Sequence, residues 1–132
     1  MTRVNLIPVE ELSDQNLIAE YHELPRVLRV SLDNAPEKYC LGKGHMKWAK
    51  LHLQFICTRY LSLCMEMYHR DFTVNYPPGD FLDYAFSRCG SDFTWQDYIP
   101  TDEDISLSRD RIIQRYNNNH RWTKRNKPEY LQ

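Results

Sequence analysis

From Met46 to about Tyr68 the chain places Trp48, Leu51, Phe55, Leu63 and Met67 at helical spacing, with Leu53, Ile56 and Tyr60 widening the apolar stripe. A run this long and this broadly apolar hides its side chains best as a buried helix, so the spacing predicts one long core helix there. The rest of the chain must pack around it. A length of 132 residues leaves room for one hydrophobic core and little for a second. A single domain over residues 1–132 is expected, ending in a basic tail over residues 116–132. With 42% hydrophobic and 13% aromatic residues there is enough apolar material to fill that core.

The flanking segments read as helices and their connections. Thr2 to Val9 is expected to be an extended arm closed by Pro8. Ser13 is placed to cap a first helix carrying Leu17, Ile18, Tyr21 and Leu24. Pro25 lacks a backbone donor and should bend or break that helix beside Glu23, with Val27, Leu28 and Val30 continuing an apolar pattern beyond. Asp33 to Lys38 is a loop, and Gly42 and Gly44 supply permissive backbone before the core helix. Asn75 to Gly79 breaks the periodicity, and Phe81 to Tyr98 reads as irregular, with one short helix near Phe81 to Phe86. Thr101 caps a last helix with Asp102, Glu103 and Asp104 in its first turn, where acids complement the dipole. Ile105, Leu107, Ile112, Ile113 and Tyr116 should form its apolar side, and Arg111 and Arg115, four residues apart, share a face. The run Asn117 to Asn119 ends it. The expected fold class is all-α.

A formal net charge of -1 excludes a global positive field. Distribution matters more. Arg109, Arg111, Arg115, Arg121, Lys124, Arg125 and Lys127 are opposed in their stretch by the single acid Asp110, while acids gather at Glu10, Glu11 and Asp14 and again from Asp80 to Asp104. Such a stripe is an anion-binding face or a solvated surface, with even odds on the residues alone. Cys40, Cys57, Cys64 and Cys89 have neither CxxC spacing nor a neighbouring His pattern, so no metal and no cofactor are expected. The first residues are polar and acidic, and no run reaches the ~18 apolar residues of a membrane span. An intracellular protein with reduced thiols and no membrane partner is expected.

Four collinear blocks then point to a family. Met1-Thr2-Arg3-Val4-Asn5-Leu6 is followed by Ala19-Glu20-Tyr21-His22-Glu23-Leu24-Pro25-Arg26-Val27, then by Leu41-Gly42-Lys43-Gly44-His45. Last comes Asp97-Tyr98-Ile99-Pro100, leading into a helix with Arg111, Arg115 and Trp122. Together these resemble the phage pyrimidine-dimer DNA glycosylase family, also called phage endonuclease V, from Thr2 to about Trp122, with weaker similarity from Phe72 to Gln96. The resemblance implies a compact all-α domain of about three main helices with the N-terminal arm threading among them. It implies a glycosylase with AP-lyase activity on cyclobutane pyrimidine dimers in double-stranded DNA. A monomer is expected, in the cytoplasm of the host cell if the chain is phage-encoded.

The same resemblance assigns roles. Once Met1 is removed, the α-amine of Thr2 would attack C1′ of the damaged nucleotide and form a Schiff base. An N-terminal amine of pKa roughly 7.7 to 8.0 is partly neutral at cellular pH and needs no deep burial to be nucleophilic. Glu23 would be the carboxylate beside it, acting as acid or base. Arg3, His22, Arg26, Arg111, Arg115 and Lys124 would contact DNA, and Trp122 would stack near the damaged base. The plain alternatives are an exposed helix glutamate, an ordinary terminus, solvated arginines and a core tryptophan. His45 is read as a loop hydrogen-bonder and not as a catalytic group.

The chain departs from the family in having His22 where arginine stands, Asn16 where histidine stands, and Thr123, Arg125 and Asn126 where aromatic rings follow the tryptophan, on either side of a shared Lys124. An AP lyase, a glycosylase for another lesion, and a noncatalytic DNA-binding module of the same fold are the competing readings. An N-terminal-threonine amidohydrolase would need a β-rich sandwich.

Overall fold

The computed structural model of the chain describes residues 4–88 and 94–132, so the expected nucleophile Thr2, the expected DNA contact Arg3 and the thiol of Cys89 lie outside the described residues. A 3-10 turn at Val9–Glu11 precedes α1 (Asp14–Glu23), which runs directly into a 3-10 segment at Leu24–Arg29. After a loop come α2 (His45–Leu51), α3 (Leu53–His69), α4 (Pro78–Arg88) and α5 (Asp102–Arg115), and a last 3-10 turn at Glu129–Leu131. No strand occurs among the described residues, and the fold is all-α. No helix among them is long and apolar enough to cross a membrane.

Local chemistry sets the helix boundaries. The Ser13 hydroxyl accepts the Asn16 N–H and starts α1. Pro25 ends it, since a proline ring cannot donate into the α ladder, and the chain tightens into the 3-10 turn right after Glu23. At the start of α5 Thr101 and Asp104 form a reciprocal capping box, with the side chain of each accepting the other's backbone N–H.

Two expectations are corrected. The helix expected from Met46 to Tyr68 is two helices joined at His52, whose φ of -109° and ψ of 53° leave the α region. The His52 ring donates from Nδ1 to the Trp48 carbonyl at 2.8 Å, competing with the backbone for that acceptor. The bend leaves both Trp48 and Leu53 fully buried. The short helix expected near Phe81 to Phe86 is present but longer: α4 spans Pro78–Arg88, starting inside the expected break at Asn75 to Gly79, and buries Phe81 and Ala85 against α3. Within α5 only Ile112 of the expected apolar side is buried; Leu107 and Ile113 are exposed.

Trp48 is the hub of the core. Tyr39 and Tyr98 meet it edge-on, with ring centroids at 4.8 and 5.0 Å. The arm from Val4 to Ile7 is buried, so it does pack among the helices.

The residues after α5 fold back as a strap. The Trp122 indole donates to the Glu11 carbonyl at 2.9 Å, and Thr123 donates to Asp14 from both its N–H and its hydroxyl, at 3.0 and 2.6 Å. Arg125 and Arg70 both donate to Glu66, a carboxylate 3% exposed. Burial alone would push the Glu66 carboxyl up, but hydrogen bonds from Arg125 and Arg70 outweigh it and hold it below the ordinary value.

A depressed folded-state value contributes stability that is complete above the unfolded pKa of about 4.3 and lost as pH falls through the folded value. The melting temperature should therefore hold from about pH 5 upward and drop below about pH 4. In Glu66→Gln that acid drop should be shallower in a calorimetric pH series, and an unchanged slope would remove this network as its source.

Candidate active site

The expected carboxylate Glu23 and the expected cations Arg111 and Arg115 come together. On α1, Asn16, Ala19, Glu20 and Glu23 follow the i, i+3, i+4, i+7 spacing of one helical face, and on α5 Arg111 and Arg115 are four apart with Ile112 between them. The two faces, with Asn5 of the arm, line a cleft of about 330 Å³. Half-buried Glu23 sits at the end of α1, where the helix is broken by Pro25.

Glu20 and Glu23 share the cleft wall but differ in what they can do. Glu20 is 2% exposed; one oxygen accepts from Asn5 Nδ2 at 2.8 Å, and Arg59 donates to both at 2.7 and 3.0 Å. Arg59 also donates to the Ile7 carbonyl at 2.5 Å. This carboxylate is committed to holding the arm, while Glu23 lines the cleft half-buried at the end of α1.

Arg111 and Arg115 have no carboxylate partner among the described residues, and the Arg111 Nε is buried with no acceptor. A buried guanidinium nitrogen without an acceptor is costly unless a ligand supplies one. The cleft thus brings Glu20 and Glu23 into one lining with two cations that are suited to receive an anion.

His22 and Arg26, also expected at the site, line a second cleft of about 380 Å³ beyond the Pro25 turn, together with Pro25, Arg29, Tyr76 and Tyr84. Neither Arg26 nor Arg29 has a carboxylate partner among the described residues. Trp122 and Lys124 line neither cleft: the indole is held by Glu11, and Lys124 pairs with Asp71. Among the described residues no group of three or more His, Cys, Asp or Glu is arranged to hold a metal ion. Burial pushes the Cys64 thiol up to about 11, so that sulfur is a core atom and not a nucleophile.

A family model described as pyrimidine dimer DNA glycosylase matches residues 1–78. The chain belongs to that family. The match covers the arm, α1, the Pro25 turn, α2 and α3, and so includes Glu20, Glu23, His22, Arg26 and Arg29; α5, with Arg111 and Arg115, lies beyond it. Membership gives the coarse activity, a DNA glycosylase of DNA repair with DNA as its substrate.

Sequence reasoning passed over Asn5, Glu20 and Arg29 as members of these clefts. Glu20 carried a signal, since it stands one helical turn before Glu23. Asn5 carried none, because its partner Glu20 is 15 residues away and is brought to it by the fold. Removing Glu20 should be costly. In Glu20→Ala, Arg59 keeps its charge in a site 9% exposed, and a loss of about 3–5 kcal/mol is expected in urea unfolding. Part of that loss should return in the double variant Glu20→Ala, Arg59→Met.

Proposed function

We propose that this glycosylase is also an AP lyase. It acts on cyclobutane pyrimidine dimers in double-stranded DNA through the Thr2 α-amine, with Glu23 as the acid-base carboxylate. The single observation that carries the reading is that Glu23 lines the same cleft as Arg111 and Arg115, neither paired with a carboxylate among the described residues. A glycosylase needs a carboxylate near the sugar and cations near its phosphates, and this cleft brings both within one cavity.

The chemistry balances without a cofactor. The amine lone pair forms an N–C1′ bond while the glycosidic bond breaks and its electron pair leaves with the base. Glu23, as acid, protonates the ring oxygen as the C1′–O4′ bond opens, and loss of one of the two protons on the adduct nitrogen gives the protonated imine. Abstraction of a 2′ proton, with Glu23 now as base, moves electrons into the C2′–C3′ bond and expels the 3′ phosphate. Water then releases the product and restores the amine. What supports the reading is that Val4, two residues along the chain from Thr2, is fixed by His45 and Tyr39, and that its neighbour Asn5 lines the cleft.

Arg26, Arg29, Arg111 and Arg115, with Arg3 and His22, are assigned to the phosphate backbone. Trp122 and Lys124 are retained as DNA contacts on the strap that Thr123 and Arg125 fasten to Asp14 and Glu66. That strap bonds where relatives carry rings is the observation favouring a second reading, in which the preferred lesion is an abasic site or another damaged base. The chain is taken to act as a monomer, as one domain over residues 1–132.

Borohydride should trap a covalent adduct on dimer-containing or abasic duplex when intact mass confirms a free Thr2; no adduct from such protein would sink the amine mechanism. Glu23→Gln should lower incision at least about a hundredfold while keeping duplex affinity, and equal activity would remove Glu23 from the chemistry. A lesion panel decides between the two substrates, and binding without turnover on every lesion would leave a noncatalytic module. In a salt titration, alanine at Arg26, Arg29, Arg111 or Arg115 should each reduce the slope of log K against log salt by about 0.9, and an unchanged slope would clear that residue of phosphate contact.

A further inference from the structure

The first described residues of the arm are fastened by side chains from three other parts of the chain. The Val4 N–H donates to His45 Nε2 at 2.8 Å, and the Val4 carbonyl accepts the Tyr39 hydroxyl at 2.7 Å. Leu6 N–H donates to Ser108 of α5 at 3.0 Å, and that hydroxyl lies 3.0 Å from Tyr39 Oη. Both backbone polar atoms of Val4 are therefore fixed by buried side chains.

The imidazole is itself set in one tautomer. His45 is 1% exposed, and its Nδ1 lies 2.7 Å from the Cys40 carbonyl, an acceptor only, so Nδ1 carries the proton and Nε2 keeps its lone pair for Val4. The turn that presents Cys40 depends on Gly44, whose φ of 91° a side chain would strain and whose Cβ would meet Pro36 at 3.4 Å.

Packing alone would not require this. Val4 is already fully buried, and an arm that only filled space could satisfy its backbone in simpler ways. Here position and rotation are both set at a point two residues from Thr2, while Asn5, the next residue, lines the cleft with Glu23. We infer that His45, seconded by Tyr39, is a positioning residue for the reaction, fixing the Val4 backbone through which the arm leads to Thr2. This rests on the reading of Thr2 as the nucleophile. Neither ring touches substrate; each acts through the Val4 backbone. Slack of the order of 1 Å at a reacting atom costs rate steeply, and the loss falls on chemistry while DNA affinity is spared.

The test is single-turnover borohydride trapping on abasic duplex, with duplex affinity and melting temperature measured on the same samples. His45→Leu should slow trapping by about tenfold to a hundredfold and leave affinity within about twofold. His45→Gln, whose Oε1 can accept from Val4 N–H, should recover part of the rate. Tyr39→Phe, which removes only the hydroxyl, gives the same readout if His45→Leu does not fold, with a loss of about threefold to tenfold expected. Wild-type trapping rates in the folded variants would overturn the inference, as would rate and affinity falling together without rescue by glutamine. A wild-type protein with free Thr2 that forms no adduct would overturn the nucleophile reading and this inference with it.

Discussion

Burying Glu20 against Arg59 takes two charges out of water, a step that costs several kcal/mol per ion and is offset only when every remaining donor and acceptor finds a partner. Asn5 and the Ile7 carbonyl supply those partners, and both belong to the N-terminal arm. The pair is therefore satisfied only with the arm in place. This condition ties α1 and α3 to the segment that leads to Thr2. It also sets the depth of the cleft, because Glu20 and Asn5 form part of its wall. A hydrophobic pair at the same positions could pack as well, but it would not select one position for the arm along the groove.

Charge is sorted by use. Arg59, Arg70 and Arg125 are each bonded to carboxylates and hold helices, arm and strap together. Arg26, Arg29, Arg111 and Arg115 line the two clefts without such partners among the described residues. Net charge hides this division, since every internal pair cancels and the cations left over are few. A chain of formal charge -1 can in this way still present cationic clefts.

Much of the fold was legible because its signals are local. Ser13, Pro25 and Thr101 mark boundaries through atoms no more than four residues away, and each boundary falls where those atoms dictate. The break at His52 was hidden, since an imidazole in a helical run announces no bend until its ring meets the Trp48 carbonyl. The tail was the hardest to read. Seven cations after residue 108 look alike in sequence, yet Arg125 finds Glu66 and Arg111 faces a cleft. Which cation becomes structural depends on carboxylates tens of residues away.

By itself the sequence determined the all-α class, the helix caps, the family and the break beside Glu23, because hydrophobic period, capping and proline chemistry act within a turn or two. Only the tertiary structure decided that Glu20 would be spent on Arg59 while Glu23 faced the cleft, and that His45 would hold Val4. Those outcomes rest on hydrogen bonds between residues 15 to 41 positions apart, whose partners no local pattern selects.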